Sequence, residues 1–313
     1  MPPGGPSFDS LDLKLMHHYC TSTATSLSLS PNAWHVWRDV VPNYAYTNHM
    51  LMHGILTLSA NHYVNVHKSS LDAMTLHDYR TRALYHHQLG LQLFRQQVQT
   101  LGENQSNEIT LVFAALLGML TFADAGTEQG TTTFDAGLKL LSVLRGKQAL
   151  WRSGPGLSES SVFAPAFFDP PPPDHREDYS STALAFDRLY DSTQDEFCKT
   201  TITILKGVAE RQPSSEYRTL GTWPASVSEE FIHLLKSRDE VALQIFEQYC
   251  TITESKRGLW WVGDLGHKLR VAIRNERSLR GPWMRQNILV NRRIFGHVGT
   301  GTGKCQSTGC KLA

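Results

Sequence analysis

The sequence predicts an all-α fold, a multi-helix bundle interrupted by a proline-rich loop, on three observations. Apolar residues recur every three to four positions along most of the chain, strand-period alternation of useful length is hard to find, and short polar residues stand where helices would begin. The clearest stripe is Leu84, His87, Leu91, Phe94, Val98 and Leu101, which leaves Arg95, Gln96 and Gln99 on the other face of an amphipathic helix. Ahead of it comes Leu51, Ile55, Leu58 and His62. Behind it follow Val112, Leu116 and Leu120, then Leu138, Leu141 and Leu144, a shorter Leu184 and Leu189, and finally Leu265, Leu269 and Ile273. Asn104, after Gly102, and Ser228, before Glu229 and Glu230, read as helix starts. Short side chains there accept from free backbone N–H groups, and acids suit the positive end of the helix dipole.

The chain divides into a short N-terminus over 1–8, expected to be disordered, a helical domain over 9–290, and a glycine-rich tail over 291–313 in which disorder is expected again. Inside the domain the pattern collapses between Arg152 and Ser181. Four consecutive prolines, Pro170 to Pro173, exclude helix and favour an extended segment. Phe163, Phe167 and Phe168 in the same loop are costly to leave in water, so that portion is expected to pack back onto the body.

Composition excludes several classes of function. Hydrophobic residues make up 41% and charged residues 19% of 313, enough for one large core or two small ones. Thirty basic against twenty-nine acidic residues offer no electrostatic footprint for a phosphate backbone, so direct DNA binding is not expected. The cysteines, Cys20, Cys198, Cys250, Cys305 and Cys310, include no pair at zinc-ligand spacing and read as reduced thiols. No secretion signal is apparent, and no apolar run is read as approaching the roughly twenty residues of a bilayer span.

The chemistry-bearing residues weigh towards structure. Gly296 to Lys304 has the look of a phosphate loop, but Cys305 stands where a hydroxyl would reach magnesium and no apolar strand precedes it. His49 and His53 share a helix face, as zinc-binding histidines do, yet only Met50, Leu51 and Met52 lie between them. A packed histidine with its ring bonded to a backbone carbonyl is the favoured reading. Asp187 and Asp191 are a thin echo of an acidic magnesium motif and read as a solvated helix face, so no catalytic residue is assigned. Trp260 and Trp261, if on a helix, point about 100° apart, so that one would pack in the core with the other at a cleft or interface, although core packing alone is the more common arrangement.

One order of features spans most of the chain. Leu11 to His18 leads to Trp34, Trp37 and Val41-Pro42, then to the run Leu51 to His62. Thr222-Trp223-Pro224, Ala242 to Tyr249 and Leu259 to Asp264 follow. In order and spacing this resembles the C-terminal regulatory domain of fungal zinc-cluster transcription factors, in particular the sterol uptake control branch. The resemblance implies a helical bundle with an apolar pocket for ergosterol or a related lipid and a role in RNA polymerase II transcription. It also implies a nuclear address, with cytoplasmic retention while ligand is bound. Met52, Leu56, Phe246, Trp260 and Trp261 are chosen as pocket residues from position and apolarity. The family's zinc sits in a cysteine cluster that places a helix in the DNA major groove. No cofactor is therefore expected for this chain, and zinc only in a longer product that carries the cluster.

A second class stays open: an interaction module without a small ligand, acting as a homodimer or through a coactivator along the Leu84 to Leu101 seam. An apolar cavity would favour the first reading and an exposed apolar groove the second. An enzyme would need convergent polar groups in a pocket.

Overall fold

The computed structural model describes residues 8–100, 108–127, 134–152, 157–169, 180–210 and 215–278, and among these it is helical with no strand. α1 (Ser10–His18) starts on a reciprocal cap: Asp9 accepts from the N–H groups of Leu11 and Asp12, and Asp12 accepts from the N–H of Asp9. The helix then widens into a π-turn, Tyr19–Thr23, and one 3₁₀ turn, Ala24–Ser26. α2 (Pro31–His35), a second π segment (Val36–Val40) and α3 (Val41–Ala45) follow, with Pro31 and Pro42 in first-turn positions where the missing N–H costs nothing.

The long helices are α4 (His49–His67), α5 (Ala73–Thr100), α6 (Glu108–Thr127) and α7 (Phe134–Arg152). Beyond them lie α8 (Ala164–Phe168), α9 (Ser180–Ser192), α10 (Glu196–Glu210), α11 (Glu216–Ser226), α12 (Glu229–Lys236) and α13 (Glu240–Ser255). Tight turns over 256–264 lead to a last helical run over 265–278, α14. Ser228 caps α12 as expected, its hydroxyl accepting from the N–H of Phe231 at 3.2 Å. Asn104, Pro170 to Pro173 and the glycine-rich tail lie outside the described residues.

The stripes on α4, α6, α7 and α14 are buried as expected. So are Phe163 and Phe167 of the proline-rich loop, the latter with its ring 5.9 Å from that of Trp37. Three expectations are corrected. On α5 Leu91 and Phe94 pack against the main core and Arg95, Gln96 and Gln99 are exposed as expected, but the buried residues are Tyr79, Ala83, His86 and Gly90, while Leu84 is 63% exposed. Close approach keeps this face small: a Cβ at Gly54 of α4 or Gly90 of α5 would stand 2.9–3.0 Å from the ring of Phe113 on α6. On α9, Phe186 joins Leu189 inside and Leu184 faces out.

The third correction concerns α6. Glu108–Gly126 is 19 residues long with mean hydropathy 1.8, long and apolar enough to cross a bilayer, contrary to the expectation that no run approaches that length. Its position gives the reason for its composition. Of its most apolar stretch 72% is buried inside the fold, and a helix enclosed on all sides is apolar on all sides. Around it lies the main core. A smaller one, Leu15, Leu56, Ala60, Tyr79 and Ala83, fills the seam of α1, α4 and α5.

Candidate functional site

The five residues selected from the sequence do not meet in one cavity. Phe246 is fully buried in an aromatic stack, 6.2 Å from the ring of Trp223. Leu56 belongs to the smaller core, and Met52, half-buried, packs against both cores. Trp261 is buried and its indole N–H donates to the carbonyl of Leu27 at 3.1 Å. Trp260 is half-buried and forms a wall of a groove of about 330 Å³. The indoles thus divide between core and cleft rather than both packing in the core, and they do so from turns rather than a helix. Gly263, at φ +49°, takes the left-handed conformation that ends this stretch of turns before α14.

The groove joins distant parts of the chain. α2 supplies Trp34, α4 supplies His62, the turns supply Leu259 and Trp260, and the segment after the first π-turn supplies Ser26 and Leu29. Buried polar contacts hold these pieces in place. Glu216 accepts from the Ser28 hydroxyl at 2.9 Å and the Leu29 N–H at 3.1 Å, and the Trp34 indole donates to the Ser28 carbonyl at 2.7 Å.

His62 is the polar centre of the wall. Its Nδ1 lies 3.0 Å from Thr23 Oγ1 and 3.2 Å from His18 Nε2, its Nε2 is 3.5 Å from Ser26 Oγ, and its ring centroid is 4.9 Å from that of Trp260. Burial, reinforced by His18 and His67, depresses its pKa to about 4, so the ring is neutral near pH 7. The π-turn carries Thr23 to this contact, and such turns recur at functional positions. On the other side of His18 a second groove, about 580 Å³, is lined by Leu13, Lys14, His17, Tyr63 and Tyr79. Residues 14–168, which contain Ser26, Trp34 and His62, match the fungal specific transcription factor domain.

The chain carries a domain of this family of transcription regulators.

Sterol uptake control protein 2 of Saccharomyces cerevisiae is 35% identical to it over 77 residues, an alignment that covers 21% of this chain and 8% of that protein. The match therefore spans a small fraction of that relative's length. Trp260 lies outside the part matched as a fungal transcription factor domain, so the groove joins that domain to the C-terminal turns.

A second buried polar cluster lies between α1, α4 and α5. Asp12 accepts from Arg82 Nε at 2.6 Å and pairs with His86 Nε2 at 2.7 Å, and His86 Nδ1 lies 2.8 Å from His53 Nδ1. The expectation that packed histidines bond a backbone carbonyl is corrected at His53 and His62. Both bond side chains, because each faces a polar residue of another helix rather than an open helix end. Sequence reasoning missed the partners of His62. The signal available was a histidine closing an apolar stripe together with the His17-His18 pair.

Proposed function

We propose that this chain is the regulatory, ligand-sensing part of a fungal RNA polymerase II transcription factor, and that its ligand is a sterol or related apolar lipid. The observation that carries the reading is the match to the fungal specific transcription factor domain over residues 14–168. The ligand class rests on similarity to a protein named for control of sterol uptake. Physical magnitude is adequate: burying roughly 400 Å² of sterol surface at about 25 cal/mol/Å² yields about 10 kcal/mol before the cost of association. The reading carries a nuclear address with cytoplasmic retention of the liganded form, no cofactor, and no direct contact of this chain with DNA.

The test is thermal unfolding with ergosterol and with a polar control lipid. A ligand that binds only the folded state stabilises it by about 2.7 kcal/mol at a hundredfold excess over Kd. A folded sample that melts identically with and without ergosterol overturns the sterol assignment. One observation favours the second reading, a protein-interaction module: Met74 and Leu84 on α5 are 76% and 63% exposed. Analytical ultracentrifugation separates the two, since a dimer that dissociates on Leu84→Glu, with no response to lipid, supports the module alone.

A further inference from the structure

The groove between Trp34, His62 and Trp260 holds an unbalanced set of hydrogen-bonding groups. Both neighbours of His62 Nδ1, the Thr23 hydroxyl and His18 Nε2, are able to donate to it. With Nδ1 accepting from them, the single proton of the neutral ring sits on Nε2. That N–H finds only Ser26 Oγ at 3.5 Å, the outer limit of a hydrogen bond. A buried donor so poorly paired is costly, which leaves His62 Nε2 receptive to an oxygen from a ligand.

The hydroxyls have the opposite surplus. Ser26 donates to the Thr23 carbonyl at 2.6 Å and Thr25 to the Ser22 carbonyl at 3.4 Å, so their protons are committed while oxygen lone pairs remain open. The side chains that line the groove carry no formal charge, so a carboxylate or an ammonium would enter without compensation. The rest of the lining is apolar or aromatic, with Trp34 and Trp260 as its large surfaces. A volume of about 330 Å³ accommodates a fused ring system or one end of a larger one.

We infer that this groove binds a neutral alcohol on an apolar ring body, with the hydroxyl oxygen accepting from His62 Nε2 and its proton donated to Ser26 Oγ. An alcohol both donates and accepts, a ketone only accepts, and a hydrocarbon does neither, which orders the three by affinity. The inference deepens the proposed lipid-sensing function by locating its site and naming the head group. His62 acts as the donor, Ser26 as the acceptor, and the two indoles as flanking surfaces.

The experiment titrates the full chain, followed by tryptophan fluorescence, with ergosterol and with three transparent small probes, 2-decalol, 2-decalone and decalin. The wild-type chain and the variants His62→Phe and Ser26→Ala are compared. The expected order is decalol over decalone over decalin, and each variant lowers the affinity for decalol and ergosterol by about fivefold to tenfold, one hydrogen bond's worth. Ser26→Ala keeps the test readable if His62→Phe fails to fold. Decalol binding that depends on His62 and Ser26, without ergosterol binding, upholds the site and overturns the sterol reading. Ergosterol binding that neither variant weakens overturns the site and leaves the sterol reading standing. Equal affinity for decalol and decalin overturns the head-group assignment, and no response to any probe overturns site and reading together.

Discussion

The seam of α1, α4 and α5 and the packing of α11 on α13 are buried to similar depth by opposite chemistry. In the second, Trp223 and Tyr249 stack at 4.6 Å with Phe246 alongside, and their polar tips end on backbone carbonyls: Trp223 on Thr201, Tyr249 on Leu220. In the first, Asp12, His86 and His53 are almost wholly buried and satisfy one another, with Arg82 at the rim. Apolar stacking tolerates changes of pH and salt because no formal charge is desolvated. A buried polar chain depends on every member, since removing one leaves the next unpaired in a poorly solvated place.

The largest effect should come from the apolar side. Phe246→Ala removes a fully buried ring that touches the α7 and α14 surfaces near Gly137 and Leu269, and we expect a loss of about 3–5 kcal/mol in denaturant unfolding. A loss below about 1 kcal/mol would mean that the ring fills a site that can collapse or be refilled. On the polar side, Asp12→Ala strands Arg82 and His86. Because the Arg82 side chain keeps 18% exposure, we expect the lower end of the range for a broken buried pair, about 3 kcal/mol, in the same assay.

Acid should sharpen the contrast. Burial lowers the pKa of His86 and brings that of His53 to about 4, against the usual 6.5. The unfolded chain therefore takes up these protons first as pH falls, so stability is full above about pH 6.5 and declines towards pH 4, on the order of 2–3 kcal/mol. His62 contributes in the same window. Asp12 acts lower: burial raises its pKa, but bonds from Arg82 and His86 pull it below the ordinary value, so its contribution persists until pH falls below about 4. Phe246→Ala should shift the stability curve uniformly, and His53→Gln should flatten its limb between pH 6.5 and 4. A wild-type stability that does not change between pH 7 and 4.5 would remove the buried histidines from the account.

What was legible in the sequence follows the same division. Leu-rich stripes on α4, α7 and α14 announce their buried faces because leucine burial repeats at the helical period. The seam of α5 does not, since Ala83, His86 and Gly90 look polar or neutral in a hydropathy pattern although they are the groups that fit against α4. The adjacency of Trp260 and Trp261 tells that two surfaces receive them, but not that one of these is a cleft. Ser26, Thr23 and His18 were not legible as partners of His62, because a π-turn sets their register and no periodicity marks it. α6 was read from one stripe, Val112, Leu116 and Leu120, which hid the apolarity of its other faces.

A third kind of contact joins α13 to α14 and should give the smallest effect. Glu240, Glu247 and Glu254 recur at seven-residue spacing, close to two helical turns, and so share one face of α13. The antiparallel α14 answers with Arg277 on Glu240 at 2.6 Å, Arg274 and Arg277 on Glu247 at 2.7 and 2.8 Å, and Arg270 on Glu254. Most of these side chains keep substantial contact with solvent, where an ion pair contributes only about 0.2–1 kcal/mol. Glu247 touches two arginines and is the best covered, so Glu247→Gln should cost about 1 kcal/mol at low salt. At 1 M salt the screening length falls to about 3 Å and most of that loss should vanish, whereas the loss at Phe246 should persist. A salt-independent deficit at Glu247 would place this pair with the buried Asp12 cluster, and α14 would then be held by desolvated charge rather than by Leu265, Leu269 and Ile273 beneath it.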